Sequence, residues 1–343
     1  MTEMSPPLPS MMKAARRKGS GPLETTLVIN DQEPMPKHTH NLPPGHVLVK
    51  VAYTSLNPFD YKVAETLVIG TWAFKGILCL DFAGTVARST ESEFQEGSKV
   101  FGQTQPMNFG ACAQYIVVAA QLCNRVPDNV GLEDAATFGI AGLTAYQMIV
   151  PFIGNGGGRK KILINGGSGG LGTFAIQIAK ALGCYVTATC SGANTDLCKE
   201  IGADEVINYQ AKDVVDTLKQ SGKQCDLIVD PIFSDPRLYW ESHQYLDPRG
   251  SYVTVLGGLN FKVVRQLITI FLWPRALGGG QRPFQIISRS PSRSDYTQLA
   301  EWTNDGVVKP VIEHIYDMED IGAAFKRIKS GRARGKLVVR IAN

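Results

Sequence analysis

Residues 161–180 read KILINGGSGGLGTFAIQIAK, and this stretch decides the fold. A short apolar run is followed by five glycines within seven positions, and then by a mostly apolar segment of helical length. The spacing Gly167-x-Gly169-x-x-Gly172 is typical of dinucleotide-binding loops. Such loops need glycine for a tight turn, for close approach of backbone N–H groups to a pyrophosphate and for helix–strand packing. The stretch therefore predicts a strand, a loop and a helix whose positive N-terminal end faces an anion.

Strands and helices continue to alternate after this loop. Apolar runs predict strands at residues 185–189, 205–207, 227–230 and 252–256, separated by helices at 195–201 and 213–220. A β-α-β-α series implies a parallel sheet with helices on both faces. We therefore predict an α/β fold with a doubly wound parallel sheet.

The N-terminal part of the chain has a different pattern. Residues 46–54 (HVLVKVAYT) alternate apolar and polar side chains, as a half-buried strand does, and similar short runs predict a bent β domain. Helical spacing begins after Gly131 and predicts one helix over residues 132–148. The predicted segments are a loose tail (1–10), a β domain (11–130), the dinucleotide-binding domain (131–290) and a C-terminal segment that returns to the β domain (291–343).

Composition excludes several classes of protein. Apolar residues make up 44% and charged residues 19%, a globular mixture that excludes disorder and coiled coil. The net charge of +4, without a long basic stripe, gives no indication of a nucleic-acid partner. The seven cysteines include no CxxC pair, which favours reduced thiols, and no apolar run reaches the ~20 residues of a membrane span. We therefore expect a cytoplasmic protein.

The choice between NAD and NADP is set at the end of the second strand of the sheet. An acidic residue there would hold the ribose 2′-hydroxyl of NAD. This strand instead leads into Ser191, Gly192, Ala193 and Asn194, which leave room for a 2′-phosphate. The sequence favours NADP, with Lys199 and Tyr209 as further candidate contacts.

Motifs outside the glycine loop extend the pattern over nearly the whole chain. They are MKAA (12–15), NPFD (57–60), DFAGTV (81–86), AGLTAY (141–146), IGADEVINY (201–209) and SGRARGK (330–336). Together they resemble zinc-independent medium-chain dehydrogenases/reductases of the quinone oxidoreductase and enoyl reductase branch. NPFDYK (57–62) and TWAF (71–74) are similar to fungal trans-acting enoyl reductases of secondary metabolism.

The resemblance implies a GroES-like β domain, a Rossmann domain and bound NADPH. Carried onto this chain, it implies cofactor contacts from Lys62, Thr144, Ser168, Gly169, Gly170, Leu171, Ser191, Gly192, Ala193, Asn194, Tyr209, Leu256 and Gly257. The chain departs from many relatives at Ala193, where they carry a basic residue, and at Gly139, where proline is common.

A metal site is not expected. Zinc-bearing relatives carry Cys and a His-Glu pair where this chain has Asn57 and Leu80-Asp81, and the five histidines lack partners at ligand spacing. Alkene reduction remains feasible without a metal, because hydrogen bonds can polarise a carbonyl conjugated to the double bond.

The implied reaction is hydride transfer to the β-carbon of an α,β-unsaturated carbonyl compound or a quinone. The leading catalytic candidate is Lys62, which matches a lysine of fungal enoyl reductases; Tyr61 and Asn57 are alternatives, and water is an alternative proton donor. The candidate substrate contacts are Trp72, Phe74, Phe138, Gly139, Ile140, Ala141, Gly142, Leu143, Thr144, Phe284 and Ile286. The apolar run at 261–273 is a pocket lid, a membrane-surface helix or a partner contact.

Other functions stay open on the same scaffold. They are carbonyl or imine reduction, a redox-neutral rearrangement or cyclisation, and NADPH binding without catalysis. The expected partner is a small hydrophobic substrate, with a biosynthetic synthase as a further possibility, and the chain is either a monomer or a homodimer.

Overall fold

The structure is a computed structural model that describes residues 8–65, 76–105, 108–153, 159–256, 261–273 and 279–342. It divides into two units. The first unit comprises Met1–Gly139, His314–Gly331 and Leu337–Asn343, and the second comprises Ile140–Glu313 and Arg332–Lys336.

The elements follow in chain order. The first part contains β1 (Met11–Arg17), α1 (Leu23–Thr26), β2 (Leu27–Pro34), β3 (His46–Ser55), α2 (Pro58–Ala64), β4 (Asp81–Ser89), β5 (Lys99–Gln103), β6 (Tyr115–Ala119), β7 (Cys123–Arg125) and α3 (Leu132–Ala135). The middle part contains α4 (Leu143–Ile153), β8 (Lys161–Ile164), α5 (Gly170–Ala181), β9 (Tyr185–Cys190), α6 (Thr195–Glu200), β10 (Glu205–Asn208), α7 (Val214–Ser221), β11 (Cys225–Asp230), α8 (Arg237–Trp240), β12 (Leu246–Thr254), α9 (Phe261–Leu272), β13 (Phe284–Ile286) and α10 (Arg293–Asn304). The last elements are β14 (Ile312–Asp317), α11 (Ile321–Lys329) and β15 (Lys336–Arg340).

The first unit is built on a seven-stranded sheet in the order β14-β15-β3-β4-β5-β7, with β6 also paired to β3. The pairings of β3, β4, β5, β6, β7 and β15 are antiparallel, and β1 and β2 form a separate antiparallel pair. Shifts in register between Leu48 and Val49 and between Val51 and Tyr53 interrupt the ladder from β3 to β4. Such bulges bend a strand, as the predicted bent β domain requires.

The second unit contains a six-stranded sheet in the order β10-β9-β8-β11-β12-β13. Every neighbouring pair in this sheet is parallel. The central strands are apolar, and Ile162, Leu163, Val186, Leu227 and Ile228 are almost completely buried. The predicted α/β fold with a parallel sheet and a GroES-like β domain is confirmed.

The helix predicted over residues 132–148 is interrupted. The structure has α3, a π-helical turn at Phe138–Gly142, and then α4. At Gly139 an added Cβ would lie 2.2 Å from Asp81 Oδ1, so the chain passes close to a buried carboxyl group. Apolar spacing carries no information on this close approach, because Asp81 lies on β4, 58 residues earlier in the chain.

The boundaries of the units also differ from the predicted segments. The change from first to second unit falls at Gly139/Ile140 rather than at residues 130/131. Helix α10, predicted as part of the returning segment, belongs to the second unit, where the Gln147 amide donates hydrogen bonds to Ser290 O at 2.7 Å and Asp295 Oδ2 at 2.8 Å. The chain returns to the first unit at His314. Within this last part, Arg332–Lys336 belongs to the second unit.

Helix α9 has two different faces. Ile270 is buried in the core of the second unit, with Val263 and Leu267 packed against it. On the other face Val264, Ile268, Phe271, Leu272 and the following Trp273 are exposed. Over the described ranges, no helix is both long and apolar enough to cross a bilayer. In the structure all seven cysteines are free thiols.

Candidate active site

The glycine loop after β8 shows which glycine serves which purpose. Gly166 has a φ of 80°, so it makes the tight turn. A Cβ at Gly172 would lie 2.1 Å from Gly166 O, so this glycine allows α5 to pack against the loop. At Gly169 an added Cβ would meet nothing nearer than Gly166 O at 3.5 Å. The side of Gly169 is therefore open to a ligand.

Helix α5 begins directly after this open position. Gly169 is its N-cap residue, with φ −81° and ψ 172°, and Gly170 and Leu171 are only partly buried. The first N–H groups of a helix have no intrahelical acceptor and carry partial positive charge. An open glycine at the start of a 12-residue helix fits a pyrophosphate, so the residues present suit a dinucleotide.

The segment after β9 is tied to the glycine loop by one side chain. The Asn194 amide donates hydrogen bonds to Ser168 Oγ and to Ser191 Oγ, both at 3.1 Å. Gly192 and Ala193 are exposed beside them, and Tyr209 is 53% exposed after β10. The structure thus brings together the predicted pyrophosphate loop and the predicted 2′-phosphate segment, and no acidic side chain occupies residues 191–194.

A second segment that the sequence did not assign to the site also lies against the loop. Gly335 N donates a hydrogen bond to Ser168 O at 2.9 Å, and Gly169 and Gly335 form a β-bridge. A Cβ at Gly170 would lie 3.0 Å from Cδ of Lys336, a residue that is 2% exposed. The SGRARGK motif contains Gly335 and Lys336. Because this motif lies 160 residues from the glycine loop, sequence spacing gives no indication that the two are in contact.

The same segment also contains a positively charged residue, Arg334. Burial raises the pKa of the Cys198 thiol in α6, whereas the positive charge of Arg334 acts to lower it. The Arg334 guanidinium is therefore close enough to act on α6. The backbone of Arg334 is held by a hydrogen bond from its N–H to Glu313 Oε2 at 2.7 Å.

The structure describes only some of the residues that are predicted to contact the nicotinamide end of the cofactor. Leu256 is partly buried after β12, and Gly257 lies outside the described residues. Thr144 is buried, and its hydroxyl donates a hydrogen bond to Ile140 O at 2.6 Å within the helical segment. That bond satisfies the hydroxyl proton and leaves the oxygen as an acceptor.

Asn57 in the first unit is held by several partners. Its backbone N–H donates to Asp60 Oδ2 at 2.7 Å, and its side chain accepts from the backbone of Asp60, which completes a capping box at the start of α2. Its amide donates to Asp81 Oδ2 at 2.8 Å and to Ser55 O at 3.3 Å. Both ends of the Asn57 amide are thus engaged within the first unit, which is typical of a structural cap.

The two remaining catalytic candidates lie on the same short helix. Lys62 is exposed overall, yet partial burial of its ammonium group lowers its pKa from the ordinary 10.5. Tyr61 is half-buried, and burial and then the charge of Glu65 raise the pKa of its phenol above 10.0, while Lys329 opposes this shift. The raised pKa of Tyr61 keeps the proton on its phenol at neutral pH, and the lowered pKa of Lys62 makes its ammonium group a stronger acid than an ordinary lysine.

Most of the described substrate candidates are buried. Phe138 is fully buried and packs edge-on against Phe101, with ring centres 5.1 Å apart; Leu143 is also fully buried, and Ile140, Ala141 and Gly142 are buried in the adjoining turn. Phe284 packs against Tyr252 and Tyr239, while Ile286 is partly buried. These are the surroundings of core residues. Trp72 and Phe74 lie outside the described residues.

No candidate metal centre is found in the described ranges, where no three His, Cys, Asp or Glu side chains are grouped to hold an ion. At the position where zinc-bearing relatives have a cysteine, Asn57 is occupied by its hydrogen bonds to Ser55, Asp60 and Asp81.

Comparison with known proteins gives matches over nearly the full length. Residues 43–151 match the family model described as alcohol dehydrogenase GroES-like domain, and residues 201–339 match the one described as zinc-binding dehydrogenase. The trans-enoyl reductase pgmF of Aspergillus terreus is 38% identical, with 98% of each chain covered. The chloroplast envelope quinone oxidoreductase homolog of Arabidopsis thaliana is 29% identical, over 90% of this chain and 92% of that protein. Among solved structures, the quinone oxidoreductase of Coxiella burnetii has a TM-score of 0.81 at 25% identity, covering 96% of this chain and 99% of that one.

Proposed function

The chain belongs to the medium-chain dehydrogenase/reductase family of oxidoreductases, which bind a nicotinamide cofactor, and from this premise we propose that it is an NADPH-dependent reductase of activated carbon–carbon double bonds. The substrate class is an enone, an enoyl compound or a quinone of small size and hydrophobic character. The observation that carries the proposal is the 38% identity, over 98% of the chain, to a protein named a trans-enoyl reductase.

NADPH rather than NADH is favoured by the surroundings of the loop after β9. Ser191 and Asn194 offer hydroxyl and amide groups, no carboxylate competes for the ribose, and Arg334 supplies positive charge toward α6. We assign Ser168, Gly169, Gly170 and Leu171 to the pyrophosphate and Ser191, Gly192, Ala193, Asn194 and Tyr209 to the 2′-phosphate side. Leu256, Gly257 and Thr144 are assigned to the nicotinamide side.

The proposed chemistry needs little from the side chains. The bound reduced nicotinamide supplies the hydride that reaches the β-carbon. Negative charge then develops on the carbonyl oxygen, and a donor at that oxygen stabilises it. We assign this donor to Lys62, because its lowered pKa makes its ammonium group a stronger acid than an ordinary lysine. Tyr61 or a water molecule delivers the proton to the α-carbon.

We propose that the reaction proceeds without a metal ion, although one matching family model is described as zinc-binding. The chain has Asn57 and Asp81 at positions where zinc-bearing relatives have metal ligands and their neighbours, and these two side chains hydrogen-bond to each other. Treatment with a strong chelator should therefore leave turnover unchanged. Loss of turnover that is restored by Zn²⁺ would contradict this part of the proposal.

A carrier-tethered substrate presented by a biosynthetic synthase is a narrower form of the proposal, suggested by the name of the pgmF relative. The free cysteines suit a reducing compartment such as the cytoplasm. A free small-molecule enone turned over as fast as its carrier-bound form would argue against the narrower form only.

The central test combines NADPH consumption with mass analysis of the product. The purified chain is offered a panel of enones, quinones and imines, and we expect NADPH oxidation and a product that is heavier than its enone or quinone by two hydrogens. A product of unchanged mass without NADPH consumption would indicate a rearrangement or cyclisation. NADPH binding with no turnover of any compound would instead indicate a non-catalytic binding protein.

Replacement of Lys62 tests its assigned role. Lys62→Met should lower kcat by roughly 10²-fold, the lower end of what a positioned proton donor contributes, while Lys62→Arg retains part of the rate. The matched control is Lys50→Met, which removes an exposed lysine from β3 of the same unit and should leave kcat unchanged. Equal rates for Lys62→Met and the control would remove Lys62 from the mechanism.

A further inference from the structure

A series of hydrogen bonds crosses four neighbouring strands of the second unit where the glycine loop begins. The backbone N–H of Gly166 donates to Thr189 Oγ1 at 3.0 Å, and the Thr189 hydroxyl donates to Asn165 Oδ1 at 2.6 Å. The Asn165 amide donates to Asp230 Oδ1 at 2.8 Å, and the Tyr252 hydroxyl donates to Asp230 Oδ2. The series runs from β9, past the end of β8, to β11 and β12.

Asp230 is the only carboxylate in this series, and it is completely buried. Its Oδ1 also accepts the backbone N–H groups of Ile232 at 3.1 Å and Phe233 at 2.9 Å. Burial and the Asp230 carboxylate raise the pKa of the Tyr252 phenol, so that group stays a donor. Through the described part of the chain, no lysine or arginine pairs with Asp230. Four donors without a cation suit the negatively charged form of the side chain.

The strand order places this charge toward one half of the dinucleotide. The glycine loop follows β8, and the 2′-phosphate segment follows β9, on one side of β8. A dinucleotide spans the carboxyl ends of the strands on both sides of such a loop, so its nicotinamide half extends over β11 and β12. Asp230 is the last residue of β11, and β12 leads to Leu256.

We propose that Asp230 biases the bound cofactor toward its oxidised form and thereby makes the bound reduced form a stronger hydride donor. The oxidised nicotinamide ring is positively charged and the reduced ring is neutral. A fixed anion in a water-poor region therefore stabilises the oxidised form selectively. This inference rests on the nicotinamide cofactor of the proposed function but not on the identity of the substrate.

The test measures the Kd of NADP⁺ and of NADPH by calorimetry for the full chain and for Asp230→Asn. Asparagine keeps the shape of the side chain and removes its charge. We expect the ratio of the NADP⁺ Kd to the NADPH Kd to rise about tenfold, which corresponds to about 30 mV for a two-electron couple. Contacts to the phosphates are common to both forms and cancel in this ratio.

Two further variants separate charge from structure. Tyr252→Phe removes one donor but keeps the carboxylate, so the ratio should stay at the wild-type value even if stability falls. Ile232→Lys adds a cation two residues from Asp230, at a residue whose backbone N–H donates to Asp230 Oδ1 and which is 54% exposed. It should raise the ratio like Asp230→Asn. This variant also serves if Asp230→Asn does not fold, because its substitution is at the surface.

The inference would be overturned if the ratio stayed unchanged in both Asp230→Asn and Ile232→Lys. If Asp230→Asn does not fold, an unchanged ratio in Ile232→Lys alone would overturn it. An equal rise of the ratio in Tyr252→Phe would also overturn it, because the effect would then be structural. If the wild-type chain binds neither form of the cofactor, the proposed function fails instead, so the two failures are distinguishable.

Discussion

Each unit contains a glycine where an added Cβ would collide, but different atoms crowd the two positions. At Gly172 in the second unit, the Cβ would lie 2.1 Å from Gly166 O and 2.8 Å from the carbonyl carbon of Gly167. At Gly139 in the first unit, it would lie 2.2 Å from Asp81 Oδ1. The first collision is with main chain only a few residues away, and the second is chiefly with a side chain 58 residues away.

The difference shows which steric conflicts another substitution can relieve. Main-chain atoms are present whatever the sequence, so only glycine fits at Gly172. A side chain can be shortened, so the restriction at Gly139 depends on the residue at position 81. Three glycine substitutions test this comparison.

Gly172→Ala should have the largest effect. The loop must move away from α5, because neither colliding atom belongs to a side chain. We expect the free energy of unfolding to fall by about 2–3 kcal/mol and the Kd for NADPH to rise at least about tenfold. Denaturant unfolding and calorimetry measure the two effects.

The matched control is Gly222→Ala, at a glycine with φ 62° and no atom within 4 Å of the added Cβ. It should cost roughly 1 kcal/mol from its backbone conformation alone and leave NADPH binding unchanged. Tight NADPH binding by Gly172→Ala would show that the loop is not held as described.

Gly335→Ala tests whether the geometry of the glycine loop also depends on a segment that is distant in sequence. Gly335 has φ 72°, which an alanine adopts only with strain, and an added Cβ would also lie 2.1 Å from Val311 O. We expect a loss of roughly 2 kcal/mol in stability. Because Gly335 N donates to Ser168 O, we also expect weaker NADPH binding, by calorimetry. Unchanged binding would mean that the glycine loop keeps its geometry without the segment Arg332–Lys336.

Gly139→Ala should cost about 1–2 kcal/mol, and part of this loss should disappear when Asp81 is shortened as well. In the double variant with Asp81→Ala, the new methyl group gains the space of the carboxylate. We therefore expect a coupling energy of about 1 kcal/mol from a double-mutant cycle of denaturant midpoints. Additive losses would place the crowding at Gly102 O, which would lie 3.0 Å from the added Cβ, instead of at Asp81.

The smallest effect concerns a buried ion pair in the first unit. Glu33 accepts hydrogen bonds from Arg16 Nε at 2.8 Å and from Asn30 Nδ2 at 2.8 Å, and the Arg16 interaction lowers its pKa below 4.5. A lowered pKa stabilises the fold above the unfolded-state pKa, and this stabilisation is lost as the pH falls through the folded-state pKa. Glu33→Gln should cost about 1 kcal/mol at pH 7. The difference from wild type should begin to shrink near pH 4.5 and vanish once the pH has fallen below the lowered folded-state pKa of Glu33.

The control for Glu33 is Glu205→Gln in the second unit, where the Lys223–Glu205 pair is more exposed. This variant should leave the denaturant midpoint nearly unchanged at every pH. A difference between Glu33→Gln and wild type that persists at low pH would show that the loss comes from packing rather than charge.

The comparison also explains what the sequence could predict. The glycine loop can be predicted because the turn at Gly166 and the close approach of Gly172 to Gly166 O involve only residues 166–172, so spacing alone carries that information. The interruption at Phe138–Gly142, the approach of Gly335 to Ser168 and the hydrogen bonds around Asp230 were not predicted. Each depends on residues brought together from distant parts of the chain, and a single sequence contains no measure of such pairs.

The placement of β15 has a consequence for the order in which the protein forms during translation. This strand pairs with β3, and its Val338 lies 283 residues after Ser55, its partner. At about 5–20 residues per second, the ribosome needs roughly 15–60 s to make the intervening chain. Throughout this time the Tyr53–Ser55 end of β3 lacks its β15 neighbour, although His46–Lys50 can already pair with β6. The part of the second unit over Ile140–Glu313 is contiguous in sequence and is made within the same interval. The unit whose synthesis begins first is therefore completed last.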